Sequence, residues 1–399
     1  MAGIGGDATG VGGDAGAPAS RILVVNAGSS SLKLRVLDAA DVVVATADLP
    51  APRGSTDAGA IAEAVAGFGA LRAVGHRIVH GGTRYSGPVL LDEEVEAHLR
   101  ALTDLAPLHQ PKSLAALAAV NAVLPAVPAV ACFDTAFHAG MPAAATTYAI
   151  PREWRKRWEL RKYGFHGLSH AYASRRAAEM LGRPVAELRI VTCHLGAGAS
   201  LAAISGGRSV DTTMGFTPLD GLVMATRSGS IDPGLVLWLE EHVRMPPAEL
   251  ASTLEHRSGL LGLAGTADMR AILAAEASGD EAAILGLGVY LHRLRASIAA
   301  MVAALGGLDV LVFTGGVGEN APAIRARVAA DLAYLGVAVD PAANAAARDD
   351  AEVGVVGAPV RTLMIRARED LEIVREVRAV LGLAALSWPA SPGAPGAPG

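Results

Sequence analysis

The chain has 399 residues with a formal net charge of −5, 51% hydrophobic residues and only 4% aromatic residues. This length exceeds the size at which a single hydrophobic core keeps growing, so the sequence predicts two domains. The acidic balance and the scarcity of aromatic side chains argue against nucleic acid and against a membrane as partners.

Both ends of the chain have compositions that are unlike those of a folded core. Residues 1–20 are rich in Gly, Ala and Asp and lack the basic start and apolar centre of a signal peptide. Residues 385–399 are rich in Pro, Ala and Gly. We interpret both segments as disordered tails. The two cysteines, Cys132 and Cys193, stand on apolar runs, which favours buried thiols and a cytoplasmic location.

The first predicted element is a β-hairpin over Arg21–Asp38. An apolar strand enters a Gly/Ser-rich turn at residues 26–30, and residues 32–37 then alternate between apolar and polar. Asn121, Pro125 and Pro128 interrupt the uncharged stretch 114–133, which favours a helix and a strand over a membrane span. Apolar runs predict, in chain order, a strand at Val74–Val79 ending on residues 80–82, helices at Asp92–Leu105 and Lys112–Leu124, and a strand at Ala129–Phe133 ending on Asp134.

A second hairpin follows the pattern of the first. The strand Arg189–His194 enters a Gly-rich turn at residues 195–200 and leaves through Leu201–Ile204, so Ser200-Leu201 repeats Ser31-Leu32. This short echo is compatible with an internal duplication but does not establish one. The remaining predicted elements are a helix at Ala282–Leu305, a strand at Val310–Phe313 before the glycines at 315–318, and helices at Ala321–Asp331 and Leu371–Leu381.

Three segments together indicate phosphoryl transfer. Residues 22–33 and 311–320 are apolar strands that run into Gly/Ser-rich turns, where backbone N–H groups can approach an anion without interference from a Cβ atom. Residues 163–170 supply imidazoles, which can stabilise negative charge that develops during group transfer.

The chain resembles the acetate kinase family of the sugar kinase and actin superfamily over roughly Arg21 to Leu383. Any single motif would be weak evidence, but eight occur in the family's order. They are residues 26–33 (Asn-Ala-Gly-Ser-Ser-Ser-Leu-Lys), 75–82, 106–109 (Ala-Pro-Leu-His), 133–138, 161–167 (Arg-Lys-Tyr-Gly-Phe-His-Gly), 214–219, 226–233 and 316–320 (Gly-Val-Gly-Glu-Asn).

The resemblance implies an α/β, two-domain actin-like or ribonuclease H-like fold with mixed sheets flanked by helices and an active site in the interdomain cleft. The N-terminal domain would span residues 21–150 and be joined by a C-terminal helix at about 370–384. A C-terminal nucleotide-binding domain would span residues 151–369. The resemblance further implies a homodimer that uses Mg²⁺ or Mn²⁺, with ATP/ADP and acetate/acetyl phosphate as substrates.

The resemblance assigns catalytic roles to four residues. Arg77 and Arg227 would clamp the substrate carboxylate and the transferring phosphoryl group with their planar guanidinium forks, structural salt bridges being the alternative. Asp134 would assist the metal or activate the carboxylate, whereas a plain helix cap is the other interpretation. His166 would stabilise the transition state together with Arg227, although a single histidine is more often a structural group.

Further roles are also implied by the resemblance. Asn26 and Glu369 would organise the metal, and the substrate's methyl group would lie among Val79, Leu108, Phe165 and Pro218, next to Arg77. His109 is left open between a functional and a structural role, and His138 and His170 are interpreted as structural. The residues expected around the nucleotide and its phosphates are Ser29, Ser31, Lys33, His194, Gly196, Gly198, Asp268, Arg270, Gly315, Gly316, Gly318 and Asn320.

Three positions depart from the family's pattern. Ala197 stands where the family usually has Asn, Gln110 replaces an Asn after His109, and Ala225 replaces the Gly before Thr226. None of these changes removes a charged catalytic group, but Ala197 puts a phosphate contact in question. The rival functions are a propionate or butyrate kinase, a pyrophosphate-using relative, and an actin-like regulator that binds nucleotide without turnover.

Overall fold

The computed structural model describes residues 21–27, 31–50, 58–103 and 110–383. Both predicted tails lie largely outside these ranges, as do Ser29, Leu108 and His109. Within them the chain forms two six-stranded mixed sheets flanked by helices, which confirms the predicted α/β class. The first sheet contains β1 (Ile22–Ala27), β2 (Ser31–Leu37), β3 (Val43–Pro50), β4 (Ala73–Ile78), β5 (Val89–Leu90) and β6 (Ala129–Phe133).

The predicted N-terminal hairpin is present and is extended by a third strand. β1 pairs antiparallel with β2, which pairs antiparallel with β3. β1 also pairs parallel with β4, β4 pairs parallel with β6, and the short β5 closes the edge antiparallel to β6. Because β1, β4 and β6 run parallel, their carboxyl ends meet at one edge of the sheet.

The second sheet repeats this arrangement strand for strand. Its order is β9-β8-β7-β10-β12-β11, which matches β3-β2-β1-β4-β6-β5 in both order and direction. The equivalent topology supports the duplication that the sequence left open. The strands are β7 (Arg189–Leu195), β8 (Ala199–Ser205), β9 (Arg208–Thr212), β10 (Val310–Thr314), β11 (Ala351–Glu352) and β12 (Arg361–Met364).

Fifteen α-helices occur in the described ranges, and several begin at an aspartate whose side chain caps the first turn, such as Asp92 and Asp280. None of these helices is long and apolar enough to cross a bilayer. They are α1 (Ala58–Ala66), α2 (Glu93–Ala101), α3 (Gln110–Val123), α4 (Ala143–Thr146), α5 (Arg152–Trp158), α6 (Gly167–Leu181), α7 (Pro233–Glu241), α8 (Pro247–His256), α9 (Gly259–Ala264), α10 (Met269–Ala277), α11 (Glu281–Leu305), α12 (Gly315–Asn320), α13 (Pro322–Asp331), α14 (Pro341–Ala346) and α15 (Glu369–Leu381).

The last helix, α15, follows the second sheet in the sequence but packs against the first sheet. Ile373, Val374 and Val377 are fully buried against the face of β1, β4 and β6. The approach is so close that a Cβ atom on Gly75 would lie 2.5 Å from Ile373 Cγ2. This packing brings Glu369, the first residue of α15, to the edge where β1, β4 and β6 end. The division of the chain between residues 150 and 151 stays a prediction.

Helix α6 lies against the second sheet and also contacts α15. Its apolar face, with Ala173 and Ala177, packs on Ile190, Ala202 and Ile204 of β7 and β8. Its first turn is tied to the first sheet, because Gly167 N donates to the carbonyl of Asp134 at 2.8 Å. The carboxyl edges of the two sheets therefore meet at the start of α6.

Candidate active site

Arg77, Asp134 and Asn26 form a hydrogen-bonded group at the carboxyl edge of the first sheet. Arg77 lies near the end of β4, Asp134 directly follows β6, and Asn26 lies near the end of β1. Arg77 Nε donates to Asp134 Oδ1 at 3.0 Å and Nη2 donates to Oδ2 at 2.6 Å. Arg77 Nη1 donates to Asn26 Oδ1 at 3.0 Å, and Asn26 Nδ2 donates to Glu369 Oε2 at 3.1 Å.

The electrostatics of this group favour a charged guanidinium between two carboxylates. Burial opposes the charge on Arg77, but Asp134 and Glu369 outweigh it and raise the pKa of the guanidinium. Burial raises the pKa of Asp134, although Arg77 acts in the opposite direction. Burial also opposes ionisation of Glu369, yet Arg77 and His194 lower the pKa of this carboxyl. One guanidinium thus stabilises two buried negative charges, a costly arrangement that is typical of functional sites.

His166 begins α6 in the left-handed region, with a φ of 56°. Such a conformation is uncommon outside glycine and is often found at functional sites. His166 Nδ1 lies 2.9 Å from Ser200 Oγ, and the His166 ring stacks on the His194 ring at 4.4 Å between centroids. His194 Nδ1 in turn lies 2.8 Å from Ser169 Oγ. These contacts fix both imidazoles at the carboxyl edge of the second sheet.

Arg227 reaches the same place from the loop between β9 and α7. Arg227 Nε donates to Glu255 Oε1 at 2.6 Å, and Nη1 donates to the carbonyl of Pro218 at 3.4 Å. A Cβ atom on Gly198 would lie 3.3 Å from Arg227 Nη1 and 3.3 Å from His166 Nε2. The guanidinium and the imidazole therefore converge above Gly198.

The two halves of the candidate site act on each other electrostatically. Burial lowers the pKa of His166 well below its usual value, and the charges of His194, Arg77 and Arg227 lower it further. Burial likewise lowers the pKa of His194, an effect that Glu369 partly opposes. Groups from the first sheet thus lie near enough to perturb groups on the second. Near neutral pH both imidazoles are uncharged and can donate or accept hydrogen bonds.

The two glycine-rich segments at the carboxyl edge of the second sheet, 195–200 and 314–318, lie next to each other. Both were expected to bind the nucleotide phosphates. A Cβ atom on Gly196 would lie 3.9 Å from Gly316 N, and one on Gly315 would lie 2.9 Å from the Leu195 carbonyl. Gly315 also has a φ of 77°, which favours glycine. The turn at 314–318 was expected to precede a helix at Ala321; instead α12 begins at Gly315 and α13 at Pro322.

The other residues expected at the nucleotide differ in their position: Asn320, Asp268 and Arg270 are exposed, whereas Lys33 lies beside Asn26. Asn320 Nδ2 donates to the Gly316 carbonyl at 2.8 Å at the exposed end of α12. Asp268 caps α10 and pairs with Arg270 at 3.0 Å, and both side chains are exposed. Ser31 and Lys33 begin β2, where Lys33 lies opposite Asn26 and helps to lower the pKa of Glu369. The roles of these residues, and of Gly318, stay predictions.

Three of the four expected pocket residues are described, and Leu108 is outside the described ranges. Val79 and Phe165 are buried in one apolar cluster. Pro218 lies within hydrogen-bond distance of Arg227 through its carbonyl. Arg77 and Arg227 thus lie near the apolar residues that the sequence associated with a small acyl group.

The donor set fits a divalent cation that is shared with a phosphate. Asp134 supplies a buried carboxylate and Glu369 a carboxylate that is 15% exposed, but the described residues hold no cluster of three or more acidic, His or Cys ligands. Mg²⁺ commonly uses one or two carboxylates and completes its shell with phosphate oxygens and water. Both ends of the Asn26 amide are engaged, by Arg77 and by Glu369, so here Asn26 orients its neighbours. A role for Asn26 as a ligand stays a prediction.

The structure adds residues that the sequence reasoning missed. Glu255 holds Arg227, and Ser169 and Ser200 hold His194 and His166. An exposed-looking Glu on an amphipathic helix, and serines within apolar runs, gave no local signal of these contacts. The position of Gln110 was noted only as a departure from the family.

The three departures have clear positions. The fully buried Gln110 side chain accepts from His80 N at 3.2 Å and donates to the His80 carbonyl at 3.1 Å. This bidentate contact secures the chain just after Arg77 and Val79. Ala225 N donates to the Ala197 carbonyl at 3.1 Å, so the other two departures contact each other. His138 contacts Ser209 and the Phe165 carbonyl, which is consistent with its structural interpretation.

Comparison with known proteins agrees with a phosphoryl-transfer site. A family model described as the acetokinase family matches residues 60–375. The chain is 45% identical over 386 residues to the acetate kinase of Clavibacter michiganensis, with 89% of this chain and 98% of that protein covered.

Two solved structures are similar over nearly their whole length. The acetate kinase of Porphyromonas gingivalis is 34% identical with a TM-score of 0.85, covering 91% of this chain and 100% of its own. A propionate kinase from Francisella tularensis is 34% identical with a TM-score of 0.84, covering 90% and 98%. This similarity confirms the two-domain, actin-like α/β fold that the sequence predicted.

Proposed function

The chain belongs to the acetokinase family, and from this premise we propose that it transfers the γ-phosphoryl group of ATP reversibly to acetate. The products are acetyl phosphate and ADP. The single observation that best supports this assignment is the convergence of Arg227 and His166 above Gly198, electrostatically coupled to Arg77. Two guanidinium groups and a neutral imidazole provide the charge and hydrogen-bond donors that a transferring phosphoryl group requires.

The reaction is a direct in-line transfer in which an acetate oxygen attacks the γ-phosphorus. Arg77 is held by Asp134 and Asn26 through three of its nitrogens, while each Nη atom keeps a second hydrogen for a substrate oxyanion. Arg227 is aligned by Glu255 through Nε and by the Pro218 carbonyl through Nη1. Alignment of charged donors before the reaction is the main catalytic contribution available to such an enzyme.

Asp134 and Glu369 are the proposed ligands of Mg²⁺ or Mn²⁺, with Asn26 orienting Glu369. A bound divalent cation would neutralise charge on the phosphate oxygens. Because Arg77 already lies between the two carboxylates, the site keeps its shape before a cation arrives. Gly196, Gly198, Gly315 and Gly316 are proposed to let the nucleotide phosphates approach the backbone closely.

The acyl group is proposed to lie against Val79, Phe165 and Pro218. Acetate is proposed as the preferred substrate because the chain is 45% identical to the acetate kinase of Clavibacter michiganensis; the solved acetate and propionate kinases are both 34% identical and do not separate the two acids. One methylene changes binding in an apolar pocket by only about 1–3 kcal/mol, so propionate should be a weaker substrate. A panel of acids of increasing length separates these activities.

A hydroxamate assay with ATP, Mg²⁺ and acetate tests the proposal. Wild-type protein should form acetyl phosphate, and Asp134→Asn should reduce this activity strongly because it removes a buried charge beside Arg77. Replacement of ATP by pyrophosphate separates the pyrophosphate-using alternative. Absence of acyl phosphate with every donor and acid would overturn the assignment and favour a nucleotide-binding regulator.

We propose further that the chain forms a homodimer in the cytoplasm. The buried free thiols Cys132 and Cys193 support a reducing compartment. Around α7 a group of apolar side chains is about half exposed, and such patches are typical of subunit interfaces. They are Leu235, Leu237, Trp238 and Val243.

Light scattering tests the oligomeric state. We expect a mass of about twice the 40.5 kDa of one chain, and Trp238→Glu should reduce it to that of a monomer. Trp154→Glu is the matched control, because Trp154 is equally exposed but lies on α5. A monomeric wild type would contradict the proposal.

A further inference from the structure

Four side chains form a continuous hydrogen-bonded row beneath the candidate site. Thr192 Oγ1 lies 2.7 Å from His170 Nδ1, and His170 Nε2 lies 2.8 Å from Ser200 Oγ. Ser200 Oγ also lies 2.9 Å from His166 Nδ1. We refer to Thr192, His170, Ser200 and His166 as the hydroxyl–imidazole row. It starts inside β7 and ends at the cleft, where His166 Nε2 faces Arg227.

The first three members of the row are fully buried. In the part of the chain that the structure describes, the Thr192 hydroxyl has a single side-chain hydrogen bond, the one with His170. Leaving a buried hydroxyl proton without an acceptor is costly, so a hydroxyl that has an acceptor within hydrogen-bond distance is expected to donate to it. His170 Nδ1 is the acceptor within reach. Thr192 therefore donates to His170 Nδ1.

This first bond determines the direction of the others. A neutral imidazole has one protonated and one unprotonated nitrogen, so His170 that accepts at Nδ1 must donate from Nε2. Ser200 Oγ receives that hydrogen and directs its own proton to His166 Nδ1. His166 consequently carries its hydrogen on Nε2. The reversed row would leave the Thr192 proton without an acceptor among the described residues.

We propose that Thr192, His170 and Ser200 are positioning residues that lock His166 in the Nε2–H tautomer, so that a neutral His166 points a hydrogen-bond donor at the transferring phosphoryl group. This inference rests on the proposed kinase function for its catalytic consequence. The tautomer itself is inferred from these three contacts and a donating Thr192 hydroxyl, and does not depend on the kinase function. His166 thus acts as an oriented donor, and its orientation originates on Thr192, from which it is separated by the side chains of Ser200 and His170.

Nitrogen-15 NMR of the histidine rings tests the lock without reference to activity. Full-length protein with ¹⁵N-labelled histidine is compared with His166→Asn, which identifies the His166 signals by their loss. A protonated and an unprotonated ring nitrogen have well-separated chemical shifts. Wild-type His166 should show a protonated Nε2 and an unprotonated Nδ1. A protonated Nδ1 on His166 would overturn the proposal.

Thr192→Val removes the hydroxyl at nearly constant shape. Its matched control is Thr362→Val, because Thr362 is also a fully buried threonine of the second sheet, but its hydroxyl has no partner among the described residues. Thr192→Val should shift His166 to a mixture of tautomers and lower kcat about tenfold or more, with KM for acetate and ATP nearly unchanged. Thr192→Ser, which restores a hydroxyl, should recover both the tautomer and the rate.

Each outcome has a definite meaning. Equal behaviour of Thr192→Val and Thr362→Val, in both the spectra and kcat, would overturn the proposal. If Thr192→Val does not fold, Thr192→Ser and the wild-type spectrum still decide it. Failure of the kinase proposal is distinguishable, because the wild type would then lack acetate-dependent turnover while its His166 spectrum would still report the tautomer.

Discussion

Insertion of one methyl group above the second sheet gives a direct test of the convergence at the candidate site. Gly198→Ala places a Cβ atom 3.3 Å from Arg227 Nη1 and at the same distance from His166 Nε2 and Cε1. Gly198 does not have a positive φ, so the backbone tolerates alanine. The change therefore acts on the two side chains and not on the local fold.

The expected magnitude follows from how firmly both neighbours are held. A contact of 3.3 Å is tighter than ordinary packing, so each group must move by a few tenths of an ångström. Arg227 is fixed by Glu255 at 2.6 Å, and His166 is fixed by Ser200 and by stacking on His194. Small displacements of aligned catalytic groups can reduce the rate by about 10²-fold. We expect a loss of that order in kcat, with a destabilisation of about 1 kcal/mol.

Steady-state hydroxamate kinetics and thermal unfolding, measured on the same preparation, check this expectation. Gly288→Ala is the matched control, because a Cβ atom at Gly288 on α11 meets open space. It should leave kcat unchanged, and the better helix propensity of alanine should stabilise it slightly. If Gly198→Ala keeps wild-type kcat and unfolding temperature, Arg227 and His166 do not converge there, and the proposed mechanism loses its main support.

Arg77→Ala should lower kcat by at least about 10²-fold in the same assay, the scale on which one oxyanion donor is lost, and undiminished turnover would exclude Arg77 from the mechanism. Glu255→Ala should cost about 2–4 kcal/mol in urea unfolding, because it leaves Arg227 partly buried without its carboxylate, whereas a loss below 1 kcal/mol would show that the pair is unimportant. Burial lowers the pKa of His76 to about 4, so between pH 6.5 and about 4 the unfolded chain binds this proton and the folded chain largely does not. The free energy of unfolding should therefore fall between pH 6.5 and about 4, by up to about 3 kcal/mol for this group, and His76→Leu should show a shallower fall in urea titrations at pH 7 and pH 5. Burial raises the pKa of the Cys132 thiol well above its usual value, so iodoacetamide should modify it only after unfolding, and rapid labelling of the native protein would contradict its position.

The sequence predicted those parts of the fold that are encoded by local pattern. Continuous apolar runs predicted the buried strands β1, β4, β6, β7, β8 and β10, and the alternation of apolar and polar residues predicted β2. The long helix α11 was located to within one residue, since Asp280 caps it and Gly306 ends it. β3 was missed because none of its residues is fully buried: half-buried and exposed positions alternate along it, without a continuous apolar run.

Helix α6 could not be predicted from local signals. Its first residue is Gly167, its cap is His166 in a left-handed conformation, and no side chain caps it. A tertiary contact fixes the start of this helix, because the Gly167 N–H donates to the Asp134 carbonyl. A Cβ atom at Gly167 would lie 2.4 Å from that oxygen. The glycine is needed for a contact between two sheets, and no window of sequence contains both partners.

The sequence predicted the charged residues and histidines of the candidate site, but not the residues that hold them in place by hydrogen bonds. Arg77, Asp134 and His166 follow strands or stand in Gly-rich segments, where the sequence can mark them as unusual. Glu255, Ser169 and Ser200 stand in ordinary helical or strand contexts, and only the folded chain shows that they hold Arg227, His194 and His166. Residues that act by holding a catalytic side chain leave no local sequence pattern, because their partners are distant in the sequence.

The matching topology of the two sheets explains how the site divides its chemistry. Asn26 ends β1 opposite Lys33, and at the equivalent place His194 ends β7 opposite Ser200. The first copy supplies Arg77 and Asp134, joined by Glu369 of α15, whereas the second supplies the neutral imidazoles and the glycines, joined by Arg227 from the loop between β9 and α7. Since charge on either imidazole would be opposed by Arg77, the copies are not interchangeable. Each half of the cleft thus supplies one guanidinium held by a carboxylate, and only the second adds uncharged imidazoles, which suits a reaction that moves negative charge from one oxygen to another.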